Sequence, residues 1–332
     1  MARGTKAFVA VTVAIVLATG AYLALAIADR PSDEDKALPP AASPSGDLPG
    51  DTVFVRDTRD GADYGRIDLV SGGERTTTQR RCDRIDVTSS LTMACLEAIP
   101  GVTPRAKLSI VAPDGAVEKD WKLAGVPSRT RLSPTGRFWA ATTFVEGHSY
   151  ASARFSTLTV VGSTDGGKPV NLEDYDLMLD GKSTAPVDRN FWGVTFAKDD
   201  RTFYATVSTG KRIRLVKGDL RSRTVTSVHD DVECPALSPD ETRVAYKVRD
   251  ALAGTTWSLA VLDLATGEET LLEKERSSVD DQPMWLDDDT VLYGLPQHEK
   301  PGFSDVWAID VSGDRAPRLY VEGASSPAVP HG

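Results

Sequence analysis

The chain of 332 residues is poor in cysteine, histidine and methionine, with three, four and four of them. The histidines are dispersed and no H-x-x-H spacing occurs, so an all-Cys/His zinc site is not indicated. No dinucleotide fingerprint, P-loop or C-x-x-C motif is present. Residues 147–151 read Gly-His-Ser-Tyr-Ala and lack the last glycine of a nucleophile elbow. The motifs of the common zinc, nucleotide-binding, dithiol and serine-hydrolase enzymes are therefore missing.

An excess of basic residues is also missing. Thirty-eight Lys and Arg face forty-eight Asp and Glu, which leaves a net charge of -10. A nucleic-acid-binding or anionic-membrane-binding face needs basic character, and this balance argues against both. The 40% hydrophobic content is ordinary for a globular protein and too high for a disordered one.

The N-terminal region carries the one long uncharged run. Residues 7–28 contain no charge, and as a helix they would extend about 33 Å, enough to cross a hydrocarbon core. Arg3 and Lys6 precede the run, so residues 1–28 are predicted to be a single-pass anchor with a cytoplasmic N-terminus. The alternative is a secretory signal cleaved after Ala28, which would release the protein. Residues 29–50 hold five prolines and no apolar period, and are predicted to be a flexible linker.

From residue 51 onward the sequence repeats. Six short runs rich in β-branched and aromatic residues share a register, at 51–55, 91–95, 137–141, 202–206, 243–247 and 290–294. A tight turn precedes each run, and a second strand, a turn and a polar strand follow it. Four antiparallel strands per unit are typical of a propeller blade. Residues 51–332 are therefore predicted to form an all-β, six-bladed propeller, with about 47 residues per blade. The alternative is a pair of β-sandwiches.

The two ends of this region complement each other. The first unit lacks its innermost strand, and residues 325–330 resemble one. A strand from the C-terminus that completes the first blade would close the ring and remove two exposed sheet edges.

The fifth unit carries Ser238-Pro239-Asp240, Val244-Ala245-Tyr246 and the run LDLATGE at 262–268. This unit resembles the repeat of TolB-type propellers, and residues 133–136 are a second, weaker match. The resemblance implies a six-bladed propeller outside the cytoplasm that binds other proteins.

Two of the three cysteines are predicted to pair. If Thr88 and Ser89 form the turn of the second unit, Cys82 lies opposite Cys95 on the neighbouring strand. Directly opposed side chains are close enough for a disulfide, and the predicted compartment is oxidising. The alternative is two buried free thiols. Cys234 is predicted to be buried in the innermost strand of the fifth blade.

One face of the propeller is the predicted binding surface. The loops from the second to the third strand, together with the connectors between blades, share this face and are long, whereas the turns on the opposite face are short. The longest connector is residues 173–189. Long loops on a rigid scaffold commonly carry binding. The candidate residues on this face are Arg81, His148, Tyr150, Trp192, Asp230, Asp231, Asp280, Asp281 and His298.

Carboxylates supply the other candidate chemistry. Asp57, Asp60 and Asp63 form an acidic loop without the spacing of a calcium-binding loop, and the paired aspartates at 230–231 and 280–281 point toward the channel mouth. No cofactor is predicted, and calcium remains an alternative. The leading functional hypothesis is a membrane-tethered, non-enzymatic module that binds a protein or cell-envelope partner. The other hypotheses are a lactonase- or lyase-type propeller enzyme and a small-ligand sensor.

Overall fold

Blades of antiparallel strands make up the computed structural model, which describes residues 48–145, 156–252 and 256–330. The predicted anchor, most of the predicted linker, and His148 and Tyr150 lie outside these residues. Within the described ranges, no helix is long and apolar enough to cross a bilayer. A single 3-10 turn, Leu172–Asp174, is the one helical element there.

The strands follow one another blade by blade, in the antiparallel order predicted from the repeat. The first blade holds β1 (Val53–Asp57), β2 (Arg66–Ser71) and β3 (Glu74–Arg81); the second holds β4 (Arg84–Val87), β5 (Met93–Ile99), β6 (Arg105–Val111) and β7 (Val117–Ala124); the third holds β8 (Val126–Leu132), β9 (Phe138–Val145), β10 (Ser156–Ser163) and β11 (Gly166–Asn171). A hairpin of β12 (Asp176–Leu179) and β13 (Lys182–Thr184) comes next. The fourth blade holds β14 (Asn190–Phe196), β15 (Thr202–Thr209), β16 (Arg212–Asp219) and β17 (Thr224–Asp230); the fifth holds β18 (Glu233–Leu237), β19 (Arg243–Arg249), β20 (Trp257–Asp263) and β21 (Glu269–Leu271); the sixth holds β22 (Met284–Trp285), β23 (Thr290–Pro296), β24 (Ser304–Asp310) and β25 (Arg318–Val321).

The last strand closes the ring. β26 (Ala324–Ala328) pairs antiparallel with β1, with Phe54 opposite Ala328, and becomes the innermost strand of the first blade. The predicted six-bladed propeller and its closure by the C-terminal strand are confirmed.

Burial follows the position of each strand within its blade. Middle strands are covered by neighbouring blades on both faces, so β15 is buried at five consecutive residues, whereas the outermost β7 is mostly exposed. Within the described residues, the buried apolar side chains form six clusters, and each cluster is shared by two adjacent blades. Trp139 and Trp285 are each at most 1% exposed and fill two of these interfaces.

One prediction about the blades is wrong. The connector 173–189 is not a loop on the binding face, because β12 and β13 form a hairpin that extends the fourth sheet to six strands. β12 pairs in parallel with β17 at the outer edge of that sheet. Leu177 explains the docking, since its side chain is fully buried in the cluster between the third and fourth blades.

The predicted disulfide is present, but the predicted register is wrong. Cys82 and Cys95 are bonded, with their Cα atoms 5.4 Å apart. Ile85, not Cys82, lies opposite Cys95, because the turn spans residues 88–92 rather than two residues. Cys82 instead lies in the connector that precedes β4, so the bond ties the first blade's exit to the second blade. Cys234 is buried in β18, as predicted.

Candidate functional site

The two ends of the central channel differ. One end carries the loops 58–65, 100–104 and 297–303 and the connectors between blades, and we call it the long-loop face. We call the opposite end the turn face. The inner strands β4, β8, β14, β18, β22 and β26 surround the channel and begin at the long-loop face. Two of these strands approach closely, because a Cβ on Gly193 would lie 2.6 Å from Cys234 Cα. The φ of +66° at Gly193 also favours glycine at this contact.

Three guanidinium groups line the channel at the long-loop face. Arg84 is the first residue of β4. Arg129 and Arg131 are two residues apart in β8, so their side chains point to the same side of that strand. Together with Asp281, Gln282 and Ser326 they line a small, partly open cavity of about 10 Å³. We call this cavity the arginine pocket.

Backbone carbonyls hold these arginines more than carboxylates do. Arg84 Nε donates to Ser128 O at 2.5 Å, and Arg131 Nη2 donates to Pro283 O at 3.1 Å. Arg129 Nη2 lies 3.5 Å from Asp281 Oδ1. Burial, and then the charge of Arg129, lowers the pKa of Arg84 to about 10, and burial also lowers the pKa of Arg131.

The predicted residues Asp280 and Asp281 both lie at this mouth, each beside a cation. Asp281 pairs with Arg129 and accepts a hydrogen bond from the Gly294 N–H at 3.0 Å. Asp280 accepts one from Lys247 Nζ at 2.7 Å. Burial alone would raise the pKa of Asp280, but the charge and hydrogen bond of Lys247, together with the charges of Arg129 and Arg249, hold that pKa below its usual range.

The aromatic ring of Trp257 contacts several charged side chains beside Asp280. Trp257 lies beneath two cations, with Lys247 Nζ and Arg249 Cζ 4.6 Å and 4.9 Å from its ring centroid. Glu233 accepts hydrogen bonds from Arg249 Nη2 at 3.1 Å and from the Trp257 indole at 3.3 Å. The fifth blade therefore presents a connected set of charged side chains at the channel mouth.

The other predicted residues are spread around the long-loop face. Asp230 pairs with Arg212 and Arg214 on the adjacent strand, and Asp231 follows it with a φ of 57°. Arg81 donates to the carbonyls of Ala62 and Tyr64, which fixes the loop 58–65. Trp192 lies half-buried in β14.

His298 lies apart from the channel. It lines an open groove of about 410 Å³ between the loop 297–303 and the fifth-to-sixth connector, together with Trp307 and Leu295. The structure therefore gathers Asp280 and Asp281 at the channel mouth and leaves His298 in a separate groove.

The carboxylates proposed for calcium have other contacts. Asp57 is fully buried and bonded to Arg59, and Asp63 pairs with Arg66 at 3.1 Å. Within the ranges that the structure describes, no three side chains of His, Cys, Asp or Glu converge in a way that could hold a metal ion.

The arginine pocket is the feature that sequence reasoning missed. One local signal was present, the alternation Arg129-Thr130-Arg131 in an inner strand, which places two positive charges on one side of the strand. Nothing in the sequence indicated that Arg84 of the preceding blade joins them.

The turn face has its own cavity, of about 80 Å³, at the other end of the channel. Arg131 lines both cavities and lies between them. The turns at this face are closed by side-chain bonds, as in the fifth blade, where Ser238 Oγ accepts from the Arg243 N–H at 2.9 Å and Asp240 from the Thr242 N–H at 3.0 Å. These bonds give a physical reason for the Ser-Pro-Asp motif.

Comparison with known proteins identifies the architecture. No protein-family model and no curated protein matches the chain. Among solved structures, TolB from Acinetobacter baumannii matches with a TM-score of 0.59 and 17% identity, over 85% of this chain and 68% of that one. A putative TolB from Agrobacterium tumefaciens matches at 0.51 and 12%, over 83% and 90%, and a chain of a nidogen/laminin complex at 0.51 and 11%, over 83% and 97%. The likeness at these identities shows the TolB-like propeller fold.

Proposed function

We propose that this propeller is a non-enzymatic module that binds a protein partner through its long-loop face, outside the cytoplasmic membrane. Residues 7–28 hold it at the membrane in this proposal. The TolB-like fold and the propeller found in a nidogen/laminin complex support a protein partner. The uncharged N-terminal run and the disulfide support an extracytoplasmic location, because disulfides persist in oxidising compartments.

The observation that supports this proposal is that exposed charged side chains at this face form ion pairs with buried ones. Three ion pairs join a buried partner to an exposed one: Lys247 (3% exposed) to Asp280 (64%), Glu233 (7%) to Arg249 (48%), and Arg214 (6%) to Asp230 (50%). A charge already fixed in position loses little conformational freedom on binding. Fixed charges of both signs also select the orientation of a complementary surface.

The same pairs give a reason to favour binding over catalysis. A general base needs a carboxylate or imidazole that is available to take a proton from a substrate. The carboxylates of Asp280, Asp281 and Glu233 each face a cation within 3.5 Å.

Site-specific photo-crosslinking in living cells tests the choice of face. A photoreactive residue is placed in the full-length chain at Asp280, Arg249 or Asp230, and, as matched controls, at the exposed turn-face positions Asp289, Arg315 or Arg137. We expect one partner protein, identified by mass spectrometry, to be captured from the long-loop positions and not from the controls. Equal capture from both faces, or capture from the turn face alone, would contradict the proposal.

The membrane tether requires a separate test. The full-length protein should remain with membranes after a carbonate wash, and external protease should reach the propeller in cells whose outer layers are removed. A chain lacking residues 1–28 should instead stay in the cytoplasm with Cys82 and Cys95 reduced. Recovery of the full-length chain in the soluble cytoplasmic fraction would reject this location.

A further inference from the structure

The face of the sixth blade that packs against the fifth blade extends beyond the apolar core that they share. Leu295 of β23 lies opposite Asp305 of β24, and Trp307 is two residues further along β24, so all three side chains lie on this face. Leu295 and Trp307 are only partly buried at the margin of the core. Both line the open groove beside the loop 297–303, which we call the Trp307 groove. The groove therefore has an apolar floor that the fifth blade does not fully cover.

The opposite wall of the Trp307 groove is fixed by hydrogen bonds. Ser277 and Ser278 of the fifth-to-sixth connector form this wall. The Ser277 N–H donates to the buried Glu275 at 2.6 Å, and Glu275 also accepts from the Tyr293 hydroxyl in β23. Ser278 Oγ accepts from the Trp257 N–H at 3.2 Å. The groove is therefore formed before a ligand binds, which limits the conformational entropy lost on binding.

Hydrogen-bond acceptors predominate among the polar groups of the groove. The side-chain amide of Gln297 donates to both carboxylate oxygens of Asp305, each at 2.9 Å, which leaves the amide carbonyl of Gln297 as an acceptor. Asp305 also accepts from the Gly323 N–H at 2.8 Å. Glu299 adds an exposed carboxylate at the rim. The groove therefore presents negative charge and acceptor atoms above its apolar floor.

Two cations adjoin the groove in sequence without lining it. Lys300 Nζ lies 5.3 Å from the centroid of the Phe303 ring. Arg276 precedes the wall residue Ser277. No Lys or Arg is among the residues that line the groove. A ligand that carries positive charge and hydrogen-bond donors therefore complements this surface better than an anion does.

An arginine side chain has the chemistry that this surface would recognise. Its guanidinium carries only N–H donors and no acceptor, and it stays charged. The planar head stacks on aromatic rings, and the aliphatic stem packs on apolar surface. We propose that the Trp307 groove binds an arginine side chain of the protein partner, with the stem against Trp307 and the guanidinium beside the carboxylates of Asp305 and Glu299. This inference rests on the proposed partner binding and states what that partner presents.

Fluorine NMR of the full-length protein in detergent tests the groove, with fluorotryptophan in place of its six tryptophans. The Trp307 signal is identified by its loss in Trp307→Phe. A glycine-flanked arginine peptide should shift this signal saturably. The matched citrulline peptide, which lacks the charge, should bind about fivefold more weakly because it loses the charge-dependent contacts. No shift at tens of millimolar arginine peptide, or equal affinity for the two peptides, would overturn the proposal. A shift caused by a neutral oligosaccharide and not by the arginine peptide would also overturn it, and would assign the groove to carbohydrate.

A variant pair locates the charge effect. Glu299→Gln removes one carboxylate at the exposed rim, and the arginine peptide should then bind about two- to fivefold more weakly. The affinity for the citrulline peptide should stay the same. Glu118→Gln is the matched control, because Glu118 is an exposed carboxylate on the outer strand β7, and it should bind both peptides as the parent does. Equal losses in the two variants would assign the effect to net charge, and an unchanged affinity in Glu299→Gln would contradict the proposal as well.

Crosslinking in cells separates this inference from the proposed function. Asp280 at the channel mouth follows the wall residue Ser278 by two positions, so the groove adjoins the proposed binding face. A photoreactive residue at His298, on the groove, should capture the same partner as one at Asp280, through a partner peptide that contains arginine. Capture from Asp280 alone would support the binding face and reject the groove as its arginine site. Saturable arginine binding without capture from either position would support the arginine site and overturn the partner binding.

Discussion

At the scale of single residues, two fully buried carboxylates lie where the ring closes. Asp57 and Asp68 are both fully buried at this junction, and Arg75 bonds to Asp68 and lies 3.5 Å from Asp57. The same guanidinium donates to the carbonyls of Glu322 and Gly323, just before the closing strand, at 2.7 and 3.1 Å. One side chain therefore links the first blade to the segment that completes it.

Removal of the Arg75 side chain should lower the stability of the protein strongly. Arg75→Met leaves two buried carboxylates with Arg59 as their remaining cation, and we expect the free energy of unfolding to fall by about 3–5 kcal/mol. Lys107→Met is the control, since Lys107 pairs with Glu97 on the surface, and its loss should stay within about 1 kcal/mol. Urea unfolding of both variants measures the difference. Similar small losses in both would show that the junction does not depend on Arg75.

A surface carboxylate supplies a prediction about pH. The Arg201 guanidinium, and then the N–H of Ser222, lower the pKa of Asp219 to about 2 from its usual 3.8. Because the folded pKa is the lower one, this group contributes stability above about pH 4 and loses that contribution as the pH falls toward 2. In Arg201→Met, carboxyl-detected NMR should show the Asp219 pKa move up toward 3.8. The control is Asp263, whose pKa is lowered by bonds from Thr266, and it should titrate unchanged.

At the scale of elements, local pattern predicted strands well and their partners less well. The six repeated runs are all second strands of their blades, because β-branched and aromatic residues covered on both faces form a short apolar run that is visible in sequence. The register predicted for β4 against β5 is wrong, because the turn between them has five residues instead of the expected two. One of the five, Leu91, has a φ of 63°. The hairpin of β12 and β13 was missed because its short strands are stabilised by the burial of Leu177 against other blades, which no local period reveals.

The disulfide links two elements and should act on stability. Cys82→Ala with Cys95→Ala should lower the free energy of unfolding by about 2–4 kcal/mol, because the bond restricts the unfolded chain over a separation of 13 residues. A reducing agent should lower the stability of the parent to the level of the double variant. Cys234→Ala should keep its sensitivity to reducing agent, since Cys234 is a free thiol. Unchanged stability of the parent under full reduction would contradict this role.

At the scale of the whole molecule, stability depends on a closed circle of blades. Each described apolar cluster is shared between two neighbours, so a missing strand exposes surface on both sides of the gap. Ala324 and Ala328 of β26 are fully buried in the clusters on either side of the first blade.

Truncation before the closing strand tests this dependence. A chain that ends at Gly323 should lose cooperative thermal unfolding and associate through the exposed edge of β1. A synthetic peptide covering residues 322–330, added in trans, should restore part of the cooperativity, whereas a scrambled peptide should not. Unfolding of the truncated chain at the same temperature and with the same sharpness as the parent would show that the ring is stable while open. Circular dichroism and size-exclusion chromatography measure the two effects.

Strand type, blade number and the pairing of Cys82 with Cys95 were readable from the chain, because each depends on a local period or on residues close together in sequence. Closure by the C-terminal strand was readable for another reason: the first unit lacks a strand that the end of the chain supplies. The arginine pocket was decided by tertiary structure alone. Arg84, Arg129 and Asp281 come from the second, third and sixth blades, and their separation depends on how six sheets pack around one axis. The gathering of these charged side chains in the channel is therefore a property of the assembled ring, and no single repeat contains it.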